Sequence, residues 1–319
     1  MDRRCPASQS RLACRLVTAI GVGLAVCAAG WASPQPGDVT ATASSICQSP
    51  THPVLAARLS NGILAALRGR ASAVGLTVDD RVTRITCKLH PNWHMDSASV
   101  VKVTILSALL RKVQEQHRTL TAQEQRLATA MITMSDNNAA SALWAETGPS
   151  SLQHFLDLAG MRETQLGPDG FWGLTQITAH DEMTLLRLLT SRNTVLSTAS
   201  RTYVLNLMAR VIPSQRWGVP AGAPTNVTVH VKNGWLPQPT HGWRIHSIGS
   251  FSGHGRDYMI VVLTWNNPTM TYGVDTVQAV AEVINRALNP GATSVIPPTK
   301  PYPSWGTPDE QIPPPSERR

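Results

Sequence analysis

Along residues 51–289 the apolar positions fall first at helical spacing, then at strand spacing, and then repeat that change. In "THPVLAARLSNGILAALRGR" Pro53 stands at a helix start and Leu55, Leu59, Ile63 and Leu67 recur four apart. That spacing predicts an amphipathic helix. "RVTRITCKL" alternates instead, with Ile85, Cys87 and Leu89 on one face of a half-buried strand. From 98 to about 210 the pattern is mostly helical. "NVTVHVKNGW" then alternates, Val227, Val229 and Val231 pointing one way and His230 and Lys232 the other. "WRIHSIGSF" and "DYMIVVLTW" read as two further strands with glycine-containing turns between. "DTVQAVAEVINRALN" closes the series as a helix, with Val277, Val280, Ala281, Ile284 and Leu288 on one face.

This order predicts an α/β fold. Short connections between the last strands imply antiparallel pairing, with the first and last helices covering one face of the sheet. Residues 51–97 and 211–289 would form a sheet-containing lobe and 98–210 a mostly helical lobe, with a cleft between them.

The chain ends change this picture little. Residues 1–32 read as an export signal: Arg3, Arg4, Arg11 and Arg15 precede the uncharged "LVTAIGVGLAVCAA", and small residues lead to Ala32. Cys27 follows "LAV", a faint likeness to a lipoprotein acceptor that Val26 weakens. Residues 33–50 are rich in Pro, Ser and Thr and read as a linker. Residues 291–319 are rich in proline, which excludes a helix or central strand, and read as an extended, solvated tail. Loss of residues 1–32 removes four arginines and one aspartate, lowering the formal net charge from +8 to +5. The arginines are scattered, so nucleic-acid binding finds no support; peripheral attraction to an anionic envelope remains open. Cys47 and Cys87 survive that cleavage. In an exported protein they could form one disulfide, worth ~3–4 kcal/mol by loop entropy, or stay as two thiols with Cys87 buried in its strand.

Three motifs carry candidate chemistry. In "SASVVKVTILSALL" Ser99 and Lys102 lie three apart at a helix start, sharing a face. Unsatisfied N–H groups there favour a developing oxyanion, and a desolvated lysine could take the serine proton. Asp96 or Ser97 could cap the helix. Lysine is scarce here, with only Lys88, Lys102, Lys112, Lys232 and Lys300, so a removable proton has value where one occurs. In "AMITMSDNNAASALW" Ser135, Asp136 and Asn137 interrupt an apolar run, as a helix cap or as groups lining a cleft. In "VHVKNGW" Lys232, Asn233 and Gly234 read either as a hairpin turn or as an edge strand with its lysine facing the cleft.

Together, Ser-x-x-Lys, Ser-Asp-Asn and Lys-x-Gly in this order resemble the penicillin-recognising serine hydrolases, class A β-lactamases and penicillin-binding enzymes. The resemblance spans roughly residues 50–289 and implies the β-lactamase/transpeptidase-like fold. It implies Ser99 as the acylated nucleophile, Lys102 as its base and Ser135 as proton relay to the leaving nitrogen. Asn137 would bind the substrate amide and orient Lys102. Lys232 would supply positive potential to Ser135 and to the substrate carboxylate, and with Asn233, Gly234 and Trp235 would line the substrate strand, with an oxyanion hole from the N–H groups of Ser99 and Trp235. Arg244 resembles a carboxylate-binding arginine, or is a surface strand arginine.

The chain also departs from the family. Class A enzymes deacylate with a glutamate on the loop after the Ser-Asp-Asn helix, and here Gly170 stands in its place. Asp169 is the adjacent candidate deacylation base; a turn aspartate in "GPDG" is its other reading. The segment between Ser99 and Ser135 is short, which implies an open site. Asn233 replaces the usual Thr or Ser, and Trp235 is bulkier than usual. His241, His246 and His254 lack metal-ligand spacing, so neither metal nor cofactor is expected. The sequence thus predicts an exported, monomeric serine hydrolase that acylates Ser99 with a β-lactam or peptidoglycan-like amide and deacylates slowly. The alternative is a non-catalytic envelope binding protein that keeps the fold.

Overall fold

Five β-rich stretches and a short N-terminal strand assemble one antiparallel sheet. The computed structural model describes residues 45–300 apart from Pro239. The export signal, Ala32, Cys27 and the tail beyond residue 300 lie outside the described residues. The sheet contains β1 (Cys47–Gln48), β2 (Ala73–Asp80), β3 (Ile85–Leu89), β6 (Thr228–Leu236), β7 (Trp243–Gly253) and β8 (Arg256–Asn267), in the order β1-β3-β2-β8-β7-β6. A second, two-stranded ladder joins β4 (Met95–Asp96) to β5 (Gln176–Ile177).

The sheet buries both faces. On one side α1 (Pro53–Leu67) and α8 (Met270–Leu288) pack Leu59, Ile63, Val277, Val280 and Ile284 against Leu76, Val78, Val231, Ile260 and Val262. On the other, Ile248, Met259, Val261 and Leu263 meet the helical side of the molecule. That side contains α2 (Lys102–Glu115), α3 (Ala122–Thr133), α4 (Asn137–Thr147), α5 (Pro149–Ala159), α6 (Ala179–Thr190) and α7 (Thr198–Ala209). The alternation of β8 supplies both cores, with 258, 260 and 262 facing one and 259, 261 and 263 the other. Each fully buried aliphatic side chain stabilises the fold by about 1.5–3 kcal/mol.

Local chemistry sets the helix ends. Pro53 occupies the first turn of α1. Thr121 and Glu124 form a reciprocal capping box at α3. Arg118 then clamps both oxygens of the buried Glu124 and, with Thr121, holds its carboxyl down at about 2.

Several expectations need correction. The strand read at "RVTRITCKL" begins only at Ile85, because residues 81–84 make the turn of a β2–β3 hairpin. β2 itself lacks a period-two signature because nearly all its residues are buried, on both faces. Cys47 and Gln48, placed in the linker by composition, form β1. Cys47 lies opposite Cys87 of β3 and is disulfide-bonded to it. The first ten residues of the proline-rich tail are not wholly solvated: Ile296 exchanges hydrogen bonds with Gly222 and Ala223, and Gln278 of α8 accepts one from Thr299. α8 starts at Met270, where the Thr269 side chain caps it, five residues before the predicted helix. No helix among the described residues is long and apolar enough to cross a membrane.

Candidate active site

Ser99 lies in a short 3-10 turn, Ala98–Val101, that runs directly into α2. The preceding Ala98 is held at φ 47°, a left-handed conformation costly for a residue with a Cβ. That kink turns the chain from β4 into the 3-10 turn. Neither Asp96 nor Ser97 caps the helix as expected: the turn has no side-chain cap. Ser97 instead donates its N–H to Thr175, tying the approach to Ser99 to the loop that leads into β5.

Lys102, the first residue of α2, is fully buried. Its Nζ donates to the Ser135 carbonyl at 2.6 Å, to Asn137 Oδ1 at 2.8 Å and to Ser135 Oγ at 3.2 Å. From the opposite side Lys232 Nζ donates to Ser135 Oγ at 2.9 Å and to the Asn233 carbonyl at 2.9 Å. One hydroxyl therefore bridges two buried ammonium groups contributed by a helix and a strand. Ser99, also buried, makes no side-chain hydrogen bond among the described residues.

Ser135 sits at the junction of α3 and α4 with φ 59°. Met134 ends α3, and the Asp136 N–H turns back to the Ala130 carbonyl, a helix stop that glycine would satisfy at lower cost. Asp136 caps α4 through Oδ1 to the Ala139 N–H at 2.7 Å. The cap reading and the cleft reading of Ser-Asp-Asn are thus both true, divided among three residues. Asp136 does the capping while Ser135 and Asn137 face the lysine.

Lys-Asn-Gly is not a hairpin turn. It lies inside β6, an edge strand of the sheet. Alternation puts Lys232 and Gly234 on the side of the 3-10 turn and sends Asn233 and Trp235 to the other. A Cβ on Gly234 would stand 3.0 Å from both the Ser97 oxygen and the Ser99 nitrogen. This close approach is what a glycine permits here. Asn233, expected to meet substrate, instead donates to the Gln215 and Trp217 carbonyls, and the Trp235 indole packs on Trp217 with ring centroids 6.1 Å apart. Only the backbone of Trp235 stays a candidate oxyanion donor.

Burial dominates the electrostatics. It drives the Lys102 ammonium well below its ordinary value, and the Lys232 charge pushes it further, while Asp136 pulls upward. Burial alone brings Lys232 down to about 7. Both lysines are thus shifted toward the neutral form by burial, and the like charge of its neighbour adds to the shift of Lys102.

Asp169 is exposed, in a left-handed turn at φ 51°. Its conformation and exposure fit the turn reading. Two contributors escaped the sequence reading. Trp172, buried on the same loop, lays its ring 4.7 Å from Lys102 Nζ and donates Nε1 to Ser141 of α4 at 3.1 Å. Asp96 forms a partly buried ion pair with Arg244, its Oδ2 3.0 Å from Nε. Arg244 is thus neither a surface residue nor unpaired. A tryptophan in a family-divergent loop was the one available signal for the first. Nothing local signals the second. Among the described residues no cluster of His, Cys, Asp and Glu could hold a metal ion.

Residues 119–288 match the model of a family described as "Beta-lactamase enzyme family". The matched span includes Ser135, Asn137, Lys232 and Gly234; Ser99 and Lys102 precede it. The curated relatives, each named "Putative lipoprotein LppW", come from Mycobacterium bovis and Mycobacterium tuberculosis. They are 28% identical over 203 residues, 60% of this chain, and the alignment spans just 64% of their own length. Similar solved structures include the TLA-3 extended-spectrum β-lactamase, with TM-score 0.65, 15% identity and coverage of 72% of this chain and 98% of that one. A class A β-lactamase from Bacteroides cellulosilyticus gives 0.65, 16%, 76% and 99%. A β-lactamase from Xanthomonas campestris pv. campestris gives 0.63, 19%, 74% and 99%. These structures share the fold, an antiparallel sheet with helices on both faces, and the family model covers more than half of the sequence, so the chain belongs to the beta-lactamase enzyme family.

Proposed function

We propose that this protein is an exported serine hydrolase that forms an acyl-enzyme on Ser99 with β-lactams or related cell-wall amides and releases it slowly. The observation that carries this reading is the convergence of Lys102 and Lys232 on the Ser135 hydroxyl, beside the turn that holds Ser99. Neutral Lys102 needs only two N–H bonds to satisfy the Ser135 carbonyl and Asn137. Its lone pair is then available to a hydroxyl proton. Ser99 Oγ bonds to the substrate carbonyl carbon while its proton passes to Lys102. The oxyanion is received by the N–H groups of Ser99 and Trp235, where one lost donor typically costs ~3–4 kcal/mol. As the C–N bond breaks, the proton reaches the leaving nitrogen through Ser135, and charged Lys232 supports that transfer. Water then attacks the ester and returns the serine.

Slow release has its own support. The stretch where family members carry a deacylating glutamate presents Gly170 and the exposed Asp169, and the same loop covers Lys102 with Trp172. Envelope location is supported by the word lipoprotein in the relatives' name and by the Cys47–Cys87 disulfide, a bond that persists in oxidising compartments.

Incubation with a fluorescent penicillin followed by a denaturing gel tests the reading. A covalent band that is absent in Ser99→Ala, and that persists for many minutes after a chase, is the expected result. A folded protein that never labels would instead be a non-catalytic member of the fold.

A further inference from the structure

A cavity of about 290 Å³ lies between α6, α7 and the end of the sheet where β7 turns into β8. The chemistry at Ser99 does not use it. One of its lining residues, His230, stands two positions before Lys232 and so on the same face of β6.

The lining carries positive charge without a matching carboxylate. Arg201 enters from α7 and Arg256 from β8, and neither forms an ion pair among the described residues. The acidic lining residue, Asp257, is already paired with Arg81, its Oδ1 3.2 Å from Nη1. Two guanidinium charges are therefore uncompensated. Arg201 Nη2 donates to Thr198 Oγ1 at 3.0 Å, but its Nε is buried with no partner among the described residues. A buried donor of this kind calls for an acceptor. Neutral groups complete the surface. His230 is buried with its Nδ1 3.1 Å from Ser250 Oγ, and burial, then the charge of Arg216, hold its imidazole below the ordinary value. The Thr202 and Ser252 hydroxyls have no hydrogen-bond partner among the described residues.

A ligand for this lining needs negative charge and many acceptor oxygens. Two guanidinium groups carry about ten N–H donors, whereas a carboxylate offers about four lone-pair sites. A phosphate group, with three terminal oxygens and up to two charges, answers both arginines at once. The cavity is at the small end of ligand sites, which run from about 300 to 1,000 Å³, so it suits a phosphate on a short stem. We infer that this cavity binds a phosphate monoester group between Arg201 and Arg256, with the Thr202 and Ser252 hydroxyls as further donors. A soluble phosphomonoester and the head group of an anionic lipid share that chemistry.

Titration calorimetry of the full protein with glycerol 3-phosphate, at about 0.1 M salt, tests the site. One ligand per chain should bind with a Kd of about 1 mM or tighter, and acetate at least about tenfold more weakly. Arg201→Gln and Arg256→Gln should each weaken phosphate binding by about tenfold or more, the size of one charge-assisted bond. Arg58→Gln, at an exposed arginine of α1 on the other face of the sheet, should leave it within about twofold. In the wild type the ring resonances of His230 should shift as glycerol 3-phosphate is added, a readout that misfolding of a variant cannot confuse. Pelleting with phosphatidylcholine vesicles that contain phosphatidic acid separates the two sources. Retention of the wild type that both arginine variants lose assigns a lipid head group; binding of glycerol 3-phosphate without such retention assigns a soluble ligand. No saturable binding to either probe would overturn the inference. So would equal affinity for acetate, binding unchanged in both arginine variants or weakened as much by Arg58→Gln, or a His230 ring that does not respond. None of these readouts needs turnover at Ser99, so their failure is separate from failure of the acyl-enzyme reading.

Discussion

Ser135 shows how one residue serves two demands. The turn between α3 and α4 wants a left-handed residue, and a side chain there costs about 1–2 kcal/mol relative to glycine. The lysines want a hydroxyl. Retaining serine means accepting backbone strain to keep an oxygen between Lys102 and Lys232. Ser135→Gly and Ser135→Ala both lack that oxygen, so each should slow acylation of Ser99 by about a hundredfold or more. The glycine variant should unfold at the higher temperature, by the equivalent of ~1 kcal/mol, because only it relieves the turn. Equal melting temperatures would remove the strain argument; full acylation in either would remove the relay. The grouping at this scale was partly legible from residue types and order: Lys102, Ser135, Asn137 and Lys232 share one hydrogen-bonded cluster, and the backbone of Ser99 lies against Gly234. The Asp96–Arg244 pair was not, because a contact across 148 residues leaves no trace in either neighbourhood.

Strand β6 and the 3-10 turn of Ser99 meet backbone to backbone, and Gly234 sets their separation. An added methyl would press on the Ser97 oxygen and on the nitrogens of Ser99 and Val100, all at 3.0–3.1 Å. Gly234→Ala should therefore displace the strand by a few tenths of an ångström and misplace both Lys232 and the Trp235 N–H. Acylation should fall by about a hundredfold, with ~1–3 kcal/mol lost from stability. Wild-type acylation in this variant would show that the strand edge does not set the reacting geometry. Elements were readable where one face was apolar. Leu55, Leu59, Ile63 and Leu67 marked α1, and Val227, Val229 and Val231 marked β6. β2 escaped because a strand buried on both faces has no alternation to read. Asn-Gly left the hairpin turn and the edge strand both open because its usual meaning is local, whereas here Asn233 is held in the strand by carbonyls of the 215–217 segment. Propensity gave way to tertiary contact at that point.

For the whole molecule, stability should depend on pH through groups buried away from water. Glu182 of α6 is fully buried, with neither carboxylate oxygen hydrogen-bonded among the described residues. Burial, with the charge of Asp181 beside it, raises its pKa to about 8. The folded protein therefore keeps a proton that the unfolded chain releases near pH 4.5. Stability from this group is complete below that value and is lost as pH rises through about 8. His246, pushed down to about 4 by burial, works in the opposite sense, costing stability as pH falls from 6.5 through 4. Glu182→Gln removes only the first effect. Its stability relative to wild type, from urea unfolding, should climb steadily from pH 5 to pH 8, by up to ~4 kcal/mol. A flat difference would mean that the acid is charged in the native state. The disulfide between β1 and β3 has a mechanical consequence. Tension applied to the chain upstream of Cys47 passes covalently into Cys87, so α1 and β2, which lie inside the closed loop, carry none of that load. A protein held at its N-terminal end against a moving surface would feel the pull at the rim of its sheet, while the helix under that sheet stayed slack.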